Sequence, residues 1–291
     1  MKPAPFTLHR PKTLEDAAAI LADVADEGGL VLAGGQSLVP MMALRAAYPP
    51  DLVDINGIAE LGSCRSDDGN LVIGATVRHA RFHKPIVENR LGRLLATVSR
   101  NISHYPIRMR GTFCGSLAHA DPASEWCLVS VTLGAELRLV SVQGARSMAA
   151  NDFIEGVMTT VKEANEIIAE ARLPLLSDDT TFGFYEFNRR AGDFALGMSL
   201  VTFALEDGLM TNVRVGIGGI EEIPRRVGAA EVLLEGKTPG DDVFDAAGSA
   251  AAQDVDPMQD MATSADYRRD LTAVVVRRAL EAAHANQSKQ G

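Results

Sequence analysis

The sequence is poor in cysteine, and its few cysteines lie far apart. Cys64, Cys114 and Cys127 form no C-x-x-C pair. An odd, sparse set of cysteines predicts reduced thiols in the cytoplasm rather than a disulfide framework. An iron–sulfur cluster of the usual kind needs about four protein ligands. Three cysteines therefore exclude such a cluster on this chain.

Positive charge, long apolar runs and an export signal are also lacking. The chain has 28 lysines and arginines against 38 aspartates and glutamates, a net charge of −10. This balance argues against nucleic acid as a partner, because nucleic-acid binding requires a basic surface. No apolar run approaches the roughly 18 residues of a membrane span. The N-terminal residues lack the apolar core of a signal peptide, so we expect no export.

The composition is typical of a folded protein, and the residues near the N-terminus show helix and strand patterns. The 291 residues are 46% hydrophobic and 23% charged, which predicts two domains. Thr13 is a candidate cap for a helix that ends at Gly28-Gly29. A strand at 30–33, a short helix at 38–46 and a strand at 52–55 complete a small α/β unit of about 60 residues.

The rest of the chain divides at a polar, turn-prone stretch, 174–179. Before it, the pattern predicts a helix at 85–101, while 103–125 fits no element until a helix resumes at residue 123. Beyond it, strands followed by helices predict an α+β domain with an antiparallel sheet. The predicted strands are 71–74, 136–141, 166–173, 182–187, 194–205 and 210–217, and the predicted later helices are 226–235, 241–253 and 264–285.

Two glycine loops stand out as candidate binding elements. The first is AGGQS at 33–37 and the second is GTFCGS at 111–116. Such loops let several main-chain N–H groups converge on one anion, and two of them suit a pyrophosphate. Neither loop contains G-x-G-x-x-G, and no Gly-Lys-Ser/Thr of a Walker sequence occurs. Glycine pairs after a strand are also ordinary turns, so composition alone leaves both interpretations open.

Six motifs, in their order and spacing, resemble one family. The chain resembles the FAD-binding medium subunit of molybdenum hydroxylases, the family of the carbon monoxide dehydrogenase flavoprotein and the flavin domain of xanthine dehydrogenase, from Phe6 to about Ala283. The motifs are AGGQSLVPMMALR (33–45), DLVDINGIAEL (51–61), IGATVRHA (73–80), GTFCGSLAHADPASE (111–125), RRAGDFAL (189–196) and VGIGGIEEIPRRVGAAEVLLEG (215–236).

The resemblance implies an α+β architecture. Residues 1–176 are expected to form the two-subdomain FAD-binding fold of the p-cresol methylhydroxylase/vanillyl-alcohol oxidase type, with subdomains at about 1–60 and 61–176. Residues 177–291 are expected to form a smaller α+β C-terminal domain of the carbon monoxide dehydrogenase flavoprotein type, an antiparallel sheet with helices.

The resemblance also implies a site that clasps the FAD pyrophosphate between the two loops. Glu125 is expected near the ribityl chain or the ring, and Ile168 is expected to contact the isoalloxazine through its backbone. No catalytic residue and no metal ligand is expected. The expected cofactor-binding residues are Ala33, Gly34, Gly35, Gln36, Ser37, Leu38, Thr112, Cys114, Gly115, Ser116, Ala118, Asp121, Glu125, Ile168 and Asp193.

Two positions depart from the family pattern. Cys114 stands where the family has a glycine, and a positive φ there would cost about 1–3 kcal/mol. Glu186 stands where the family often has a lysine, which would change the electrostatics near the flavin if this carboxylate faces it. His119 and Asp121 fit a cofactor-facing or turn-stabilising role better than a metal site, because the histidines do not cluster.

The implied function is electron transfer within a larger complex. FAD would receive electrons from a [2Fe–2S] small subunit, after oxidation of substrate on a molybdopterin-binding large subunit, and pass them to an external acceptor. A stand-alone flavin oxidase of the same fold and a flavin-free scaffold are the alternatives. Tyr105-Pro106 with Arg108 and Arg110 fits either a partner surface or a solvated loop, and the sequence does not separate the two.

Overall fold

A computed structural model of the chain describes residues 2–261 and 263–288. In chain order the strands are β1 (Thr7–His9), β2 (Leu30–Leu32), β3 (Asp51–Asp54), β4 (Cys64–Asp67), β5 (Asn70–Gly74), β6 (Glu136–Ser141), β7 (Gly144–Ala149), β8 (Ile154–Gly156), β9 (Thr159–Thr160), β10 (Ile167–Pro174), β11 (Thr181–Phe187), β12 (Gly197–Glu206), β13 (Leu209–Gly218) and β14 (Arg225–Arg226). The helices are α1 (Leu14–Val24), α2 (Leu38–Ala43), α3 (Arg90–Ser99), α4 (Tyr105–Arg108), α5 (Phe113–His119), α6 (Glu125–Leu133), α7 (Ala150–Phe153), α8 (Gly228–Leu234), α9 (Asp241–Asp254) and α10 (Ala265–Ser288).

The first elements form the predicted α/β unit. The Thr13 hydroxyl accepts a hydrogen bond from Asp16 N at 3.1 Å and begins α1. One side of α1 is buried through Ala17 and Leu21. Strands β1, β3 and β2 pair in that order as a parallel sheet, and the predicted succession of strand, turn, helix and strand is confirmed.

The second sheet is antiparallel, in the order β4-β5-β10-β6-β7. Helices α5 and α6 pack on its central strand β10. An aromatic cluster fills the space beneath them, with the ring centroid of Trp126 at 4.9 Å from that of Phe113 and 5.2 Å from that of Phe82. All three rings are fully buried, so the cluster fixes the position of the chain around residues 112–126.

Two predicted boundaries are wrong in this region. The helix predicted from residue 85 begins at Arg90, because the Asn89 side chain accepts from Gly92 N at 3.0 Å and caps it there. The helix predicted from residue 123 begins at Glu125, after the cap Ser124. The unassigned stretch 103–125 contains α4 and α5.

The third sheet is antiparallel, in the order β11-β12-β13-β14, and α10 packs on β11 and β12. Its predicted strands and helices are confirmed with shifted ends. The strand predicted from residue 194 begins at Gly197, since Leu196 N bonds Phe187 O at 2.8 Å and the residues between form a loop.

Strand β12 joins two hydrophobic cores. Met198 and Leu200 belong to a core built mainly from residues 17–173, whereas Val201 and Phe203 belong to a core built from residues 201–283. Helix α6 lies where these layers meet, and each of its residues from Trp126 to Leu133 is buried. Within residues 2–261 and 263–288, no helix has the length and apolarity needed to cross a membrane.

Candidate cofactor-binding site

The first glycine loop connects β2 to α2. Gly35 has a φ of +70°, a left-handed conformation that favours glycine. The Gln36 side chain folds back and donates to Gly34 O at 3.0 Å. Helix α2 follows directly, with Val39 N bonded to Gly35 O at 3.0 Å. The apolar strand β2 therefore ends in a tight turn that leads directly into α2.

The two glycine loops are in direct contact. A Cβ atom on Gly34 would lie 2.5 Å from Arg110 O and 2.7 Å from the Cα of Gly111. Any other residue at position 34 would push the loops apart. This close approach explains the first of the two glycines in the first loop, and it places residues about eighty positions apart against each other.

Asn56 and Arg78 hold the loops together from behind. The Asn56 amide donates to Ala33 O at 2.7 Å, at the start of the first loop. Its oxygen accepts from the Arg78 guanidinium at 2.5 Å, and a second nitrogen of Arg78 donates to Arg110 O, next to the second loop. We name this pair the loop clamp. Both residues lie within motifs of the resemblance, yet the sequence prediction assigned them no role.

The second loop begins α5. Thr112 caps this helix, since its hydroxyl accepts from Gly115 N at 3.0 Å. Cys114 is inside the helix and has no positive φ, so its substitution for glycine carries no backbone strain. Its thiol lies 3.6 Å from Ile73 O, and burial raises its pKa to about 12. Cys114 is therefore a neutral packing residue.

Several main-chain donors of the two loops are left without partners. The N–H groups of residues 34–38, Thr112 and Cys114 make no hydrogen bond with any other residue of the described ranges 2–261 and 263–288. Unpaired N–H groups clustered on adjacent loops are the usual means of holding a phosphate or diphosphate. The donor set thus fits a large anionic group.

These loops line one cavity of about 510 Å³, which we name the cofactor cavity. All the residues predicted from the resemblance border it. The loops supply Ala33, Gly34, Gly35, Gln36, Ser37, Leu38, Thr112, Cys114, Gly115 and Ser116; the remaining predicted residues are Ala118, Asp121, Glu125, Ile168 and Asp193. Their contact with a bound cofactor stays a prediction.

A buried histidine closes the cavity on the side of the loop clamp. His79 is 5% exposed, its Nδ1 accepts from Trp126 Nε1 at 2.9 Å, and its main-chain N donates to Gly111 O at 2.9 Å. Burial lowers its pKa to about 3. A neutral imidazole therefore fixes the second loop against the aromatic cluster, a role that sequence reasoning missed.

The far end of the second motif places carboxyl groups at the cavity. Asp121 accepts from Ala123 N at 2.8 Å and stabilises the turn before α6, and it also lines the cavity, as His119 does. Burial and then the neighbouring Glu186 raise the pKa of Glu125 to about 8. Burial raises the pKa of Glu186 to about 7. At neutral pH this pair of carboxyls therefore retains a proton.

Glu186 does not itself border the cofactor cavity. Its Oε1 accepts from Asn188 Nδ2 at 3.0 Å, while its Oε2 is buried and has no hydrogen-bond partner among the described residues. Glu186, which stands where the family often has a lysine, therefore affects the cavity through Glu125, because it disfavours a negative charge on that side chain.

Strand β10 and the loop before it bring main-chain groups and a cation to the cavity. The pairing of β10 with β6 shifts register between Ile168 and Glu170, a β-bulge next to the cavity; such bulges release main-chain groups and are common beside binding sites. Lys162 also lines the cavity, and burial lowers its pKa. Nothing in the sequence pattern marked Lys162, because it lies outside the quoted motifs.

The loop between β11 and β12 forms the open edge. Asp193 and Phe194 line the cavity there, and the Phe194 side chain is 74% exposed. Among the described residues, no three His, Cys, Asp or Glu side chains are grouped so that they could hold a metal ion. The cavity thus offers backbone donors, acids and one lysine.

Two protein-family models together match most of the chain. The FAD-binding domain in molybdopterin dehydrogenase matches residues 4–176, and the carbon monoxide dehydrogenase flavoprotein C-terminal domain matches residues 182–283.

Relatives of similar length carry subunit names. The chain is 34% identical to the carbon monoxide dehydrogenase medium chain of Hydrogenophaga pseudoflava over 286 residues, covering 98% of this chain and 99% of the relative. It is 35% identical to the nicotine 6-hydroxylase medium subunit of Paenarthrobacter nicotinovorans over 271 residues, covering 93% of this chain and 94% of the relative.

Solved structures agree closely in fold. A carbon monoxide dehydrogenase chain from Hydrogenophaga pseudoflava superposes with a TM-score of 0.93 at 34% identity, over 98% of this chain and 99% of the other. A chain of quinoline 2-oxidoreductase from Pseudomonas putida 86 gives a TM-score of 0.93 at 32% identity, over 99% of this chain and 100% of the other. The chain therefore belongs to the family of FAD-binding medium subunits of molybdenum hydroxylases, and it is the flavoprotein subunit of an oxidoreductase.

Proposed function

We propose that this chain holds FAD in the cofactor cavity and acts as the electron-transfer subunit of a heteromeric molybdenum hydroxylase. Residues 1–176 would hold the cofactor, and residues 177–291 would form the C-terminal domain. Bound FAD would supply the redox chemistry, taking electrons from [2Fe–2S] clusters on a small subunit and passing them to an external acceptor. The molybdopterin group would lie on a large subunit.

One observation carries the proposal: two touching glycine loops line the cavity with unpartnered N–H groups. A diphosphate has the negative charge and the acceptor oxygens that such donors need. The close packing of Gly34 on the second loop keeps the donors together without side chains between them. In a flavin-free scaffold these N–H donors would have no ligand to pair with, so that alternative does not account for them.

The other cavity residues bind and orient rather than transfer protons to a substrate. The bulge at Ile168 offers main-chain groups for the edge of a planar ring. The proton retained by Glu125 and Glu186 reduces the negative charge at the wall of the cavity, which limits repulsion of an anionic cofactor. Lys162 supplies a cation to the lining of the cavity. A cytoplasmic location is proposed as well, supported by the three free cysteines.

Substitution of Gly35 tests the cofactor assignment. The wild-type chain should purify with about one FAD per chain, or take it up, with a flavin absorption spectrum. Gly35→Asp should abolish retention, because a carboxylate in the loop repels the pyrophosphate. Gly208→Asp is the matched control: Gly208 also has a positive φ, of +79°, but it lies in the β12–β13 turn, where an added Cβ atom would meet nothing within 4 Å.

The outcomes separate the candidates. A wild-type chain that is colourless and ignores added FAD would end the proposal. Turnover of an organic substrate by this chain alone would favour a stand-alone flavin oxidase. Co-purification with a molybdopterin-binding and a [2Fe–2S] subunit, and reduction of the bound flavin through them, is the expected result.

A further inference from the structure

Two carboxyl groups from different elements act on each other at the cofactor cavity. Glu125 is the first residue of α6 and lines the cavity. Glu186 lies on β11 and does not border the cavity, but after burial its charge is the largest influence on the pKa of Glu125. We name these two side chains the carboxyl pair. They come from two elements that are about sixty residues apart in the chain.

The carboxyl pair is remote from the main-chain donors that suit a diphosphate. Those donors lie in residues 34–38 and at the start of α5. Glu125 lies on the side of Asp121, beyond the other end of α5, since the charge of Asp121 also raises its pKa. The seven residues of α5 span about 10 Å. Helix α6 packs against β10, whose bulge at Ile168 suits a planar ring, so the pair fits the ring and not the diphosphate.

The hydrogen-bonding capacity of the carboxyl pair is not filled. Glu186 Oε1 accepts from Asn188 Nδ2 at 3.0 Å, whereas Oε2 is buried and has no partner among the described residues. Within residues 2–261 and 263–288, no ion pair joins Glu125 or Glu186 to a basic side chain. A carboxyl oxygen becomes a donor only when it is protonated. The pair is therefore built to change its protonation and not to hold a fixed cation.

The surrounding charges also favour protonation. Burial, then Glu186 and Asp121, raise the pKa of Glu125 to about 8, while its own main-chain N–H and Arg108 lower it. Burial raises the pKa of Glu186 to about 7. The neighbouring Cys127 stays neutral, because burial raises its pKa to about 12. Near neutral pH the pair thus holds one proton and has a second carboxylate that can accept another.

We propose that the carboxyl pair takes up one proton from solvent when two electrons reach the bound cofactor, and releases it when they leave. The inference rests on the proposed function, since it concerns the same bound FAD. The pair faces one more negative charge after reduction, because two electrons and one proton enter the ring. A new negative charge raises the pKa of a nearby carboxyl.

The step balances without a further reactant. The two electrons come from the iron–sulfur subunit that the proposed function names. An O–H bond forms on the second carboxylate of the pair, and the proton comes from solvent water. No bond forms between the pair and the cofactor. When the acceptor removes the electrons, the same O–H bond breaks and the proton returns to solvent.

The proposal makes the reduction potential of FAD depend more steeply on pH. Each proton taken up with two electrons changes the potential by about 30 mV for a tenfold change in proton concentration. The proton on the ring alone gives about 30 mV per pH unit, and a second proton on the pair gives about 60 mV per pH unit. The steeper range should lie around pH 7 to 8, where the pair titrates.

Removal of both carboxylates tests the proposal. Glu125→Gln/Glu186→Gln keeps the size and polarity of the side chains, but an amide takes up no proton in this range. The matched control is Glu206→Gln/Glu222→Gln, which removes two exposed carboxylates that do not line the cavity. Each full-length chain, loaded with FAD, alone or in the complex with which it purifies, is titrated spectroscopically to its reduction potential at pH values on both sides of the steep range.

The wild type and the control should show a slope near 60 mV per pH unit in the steep range, and the double variant should stay near 30 mV per pH unit throughout. Infrared difference spectra, reduced minus oxidised, should show a gain of protonated carboxyl C=O absorption in the wild type that the double variant lacks. A pair that only supports the fold would change neither readout.

The FAD content of each sample keeps this inference distinct from the proposed function. A wild-type chain without FAD overturns the proposed function and the inference with it. If the wild type holds FAD but its slope equals that of the double variant, the inference is wrong and the proposed function stands. Should the double variant lose FAD, the infrared signal decides: its absence from the wild type overturns the inference, and its loss in Glu186→Gln, which does not border the cavity, supports it.

Discussion

At the scale of single residues, Glu125 and Glu186 set how the chain responds to pH. Burial raises the pKa values of both carboxyls, and the neighbouring Glu186 raises that of Glu125 further. The folded chain therefore holds these protons more tightly than the unfolded chain does. As the pH rises from about 4.5 to about 8 the unfolded chain releases them first, so the free energy of unfolding falls across this window and levels off above it.

Glu186→Gln should remove the part of this dependence that Glu186 itself contributes and should reduce the part that Glu125 contributes. The amide keeps an oxygen that can accept from Asn188 but carries no charge. In chemical denaturation of the FAD-free chain, we expect the variant to be more stable than the wild type by about 2 kcal/mol at pH 8.5, and nearly equal to it at pH 5. Glu222→Gln, at an exposed position, is the control. A constant difference between the two pH values would contradict the explanation.

At the scale of elements, the loop clamp makes two distant loops behave as one. In the described part of the chain, only Asn56 both donates a hydrogen bond to the first loop and accepts one from Arg78. Removing that side chain frees the loops to separate and leaves Arg78 without its acceptor. The cost of losing hydrogen bonds at such a site is about 1–3 kcal/mol.

Asn56→Ala should raise the dissociation constant for FAD about 10-fold, as measured by titrating the FAD-free chain and following flavin fluorescence. Asn56→Asp keeps an acceptor for Arg78 but loses the donor to Ala33, so its effect should be intermediate. Asn151→Ala, at an exposed position on α7, should bind like the wild type. Equal dissociation constants for FAD in the wild type, Asn56→Ala and Asn56→Asp would show that the loop clamp does not position the loops.

Sequence reasoning reached some elements and missed others for physical reasons. Regular periodicity marked α1, α10 and the long strands of the third sheet. Helix α5 escaped because it has seven residues and contains a glycine. The roles of Asn56 and Arg78 depend on partners 22 to 32 residues away in the chain, and no local pattern encodes such contacts.

For the site, the composition of the glycine loops indicated that each could donate main-chain hydrogen bonds. It did not indicate that the two loops lie together at one cavity. The resemblance supplied fifteen of the residues that line the cavity, and the structure brings them together. Lys162 was missed because it stands outside the motifs, and His79 because its position depends on Trp126, 47 residues away. Long-range packing, rather than local sequence, completes the cavity.

At the scale of the whole molecule, the two cores are not independent. Helix α6 is buried on all sides from Trp126 to Leu133, as expected for a helix enclosed by protein. Arg214 of β13 donates to Leu133 O at 2.7 Å and satisfies a carbonyl at the end of α6. Strand β12 contributes side chains to both cores. Loss of either core would thus expose the helix and the strand on which the other depends.

We therefore expect one cooperative unfolding transition for the intact chain. Fluorescence of Trp126, the single tryptophan, reports on the first core, while far-UV circular dichroism reports on helices of both. The two thermal midpoints should coincide, and FAD should raise both together, because binding stabilises only the folded state. Midpoints that separate, or an FAD shift seen by fluorescence alone, would show that the halves unfold on their own.

The cysteines have a consequence for the durability of the chain. Burial raises the pKa of Cys64 to about 11 and those of Cys114 and Cys127 to about 12. Peroxides attack the thiolate form of cysteine, not the thiol. With Cys114 at the wall of the cavity, the chain offers almost no sulfur anion there, so we expect peroxides to leave this wall of the cavity unmodified.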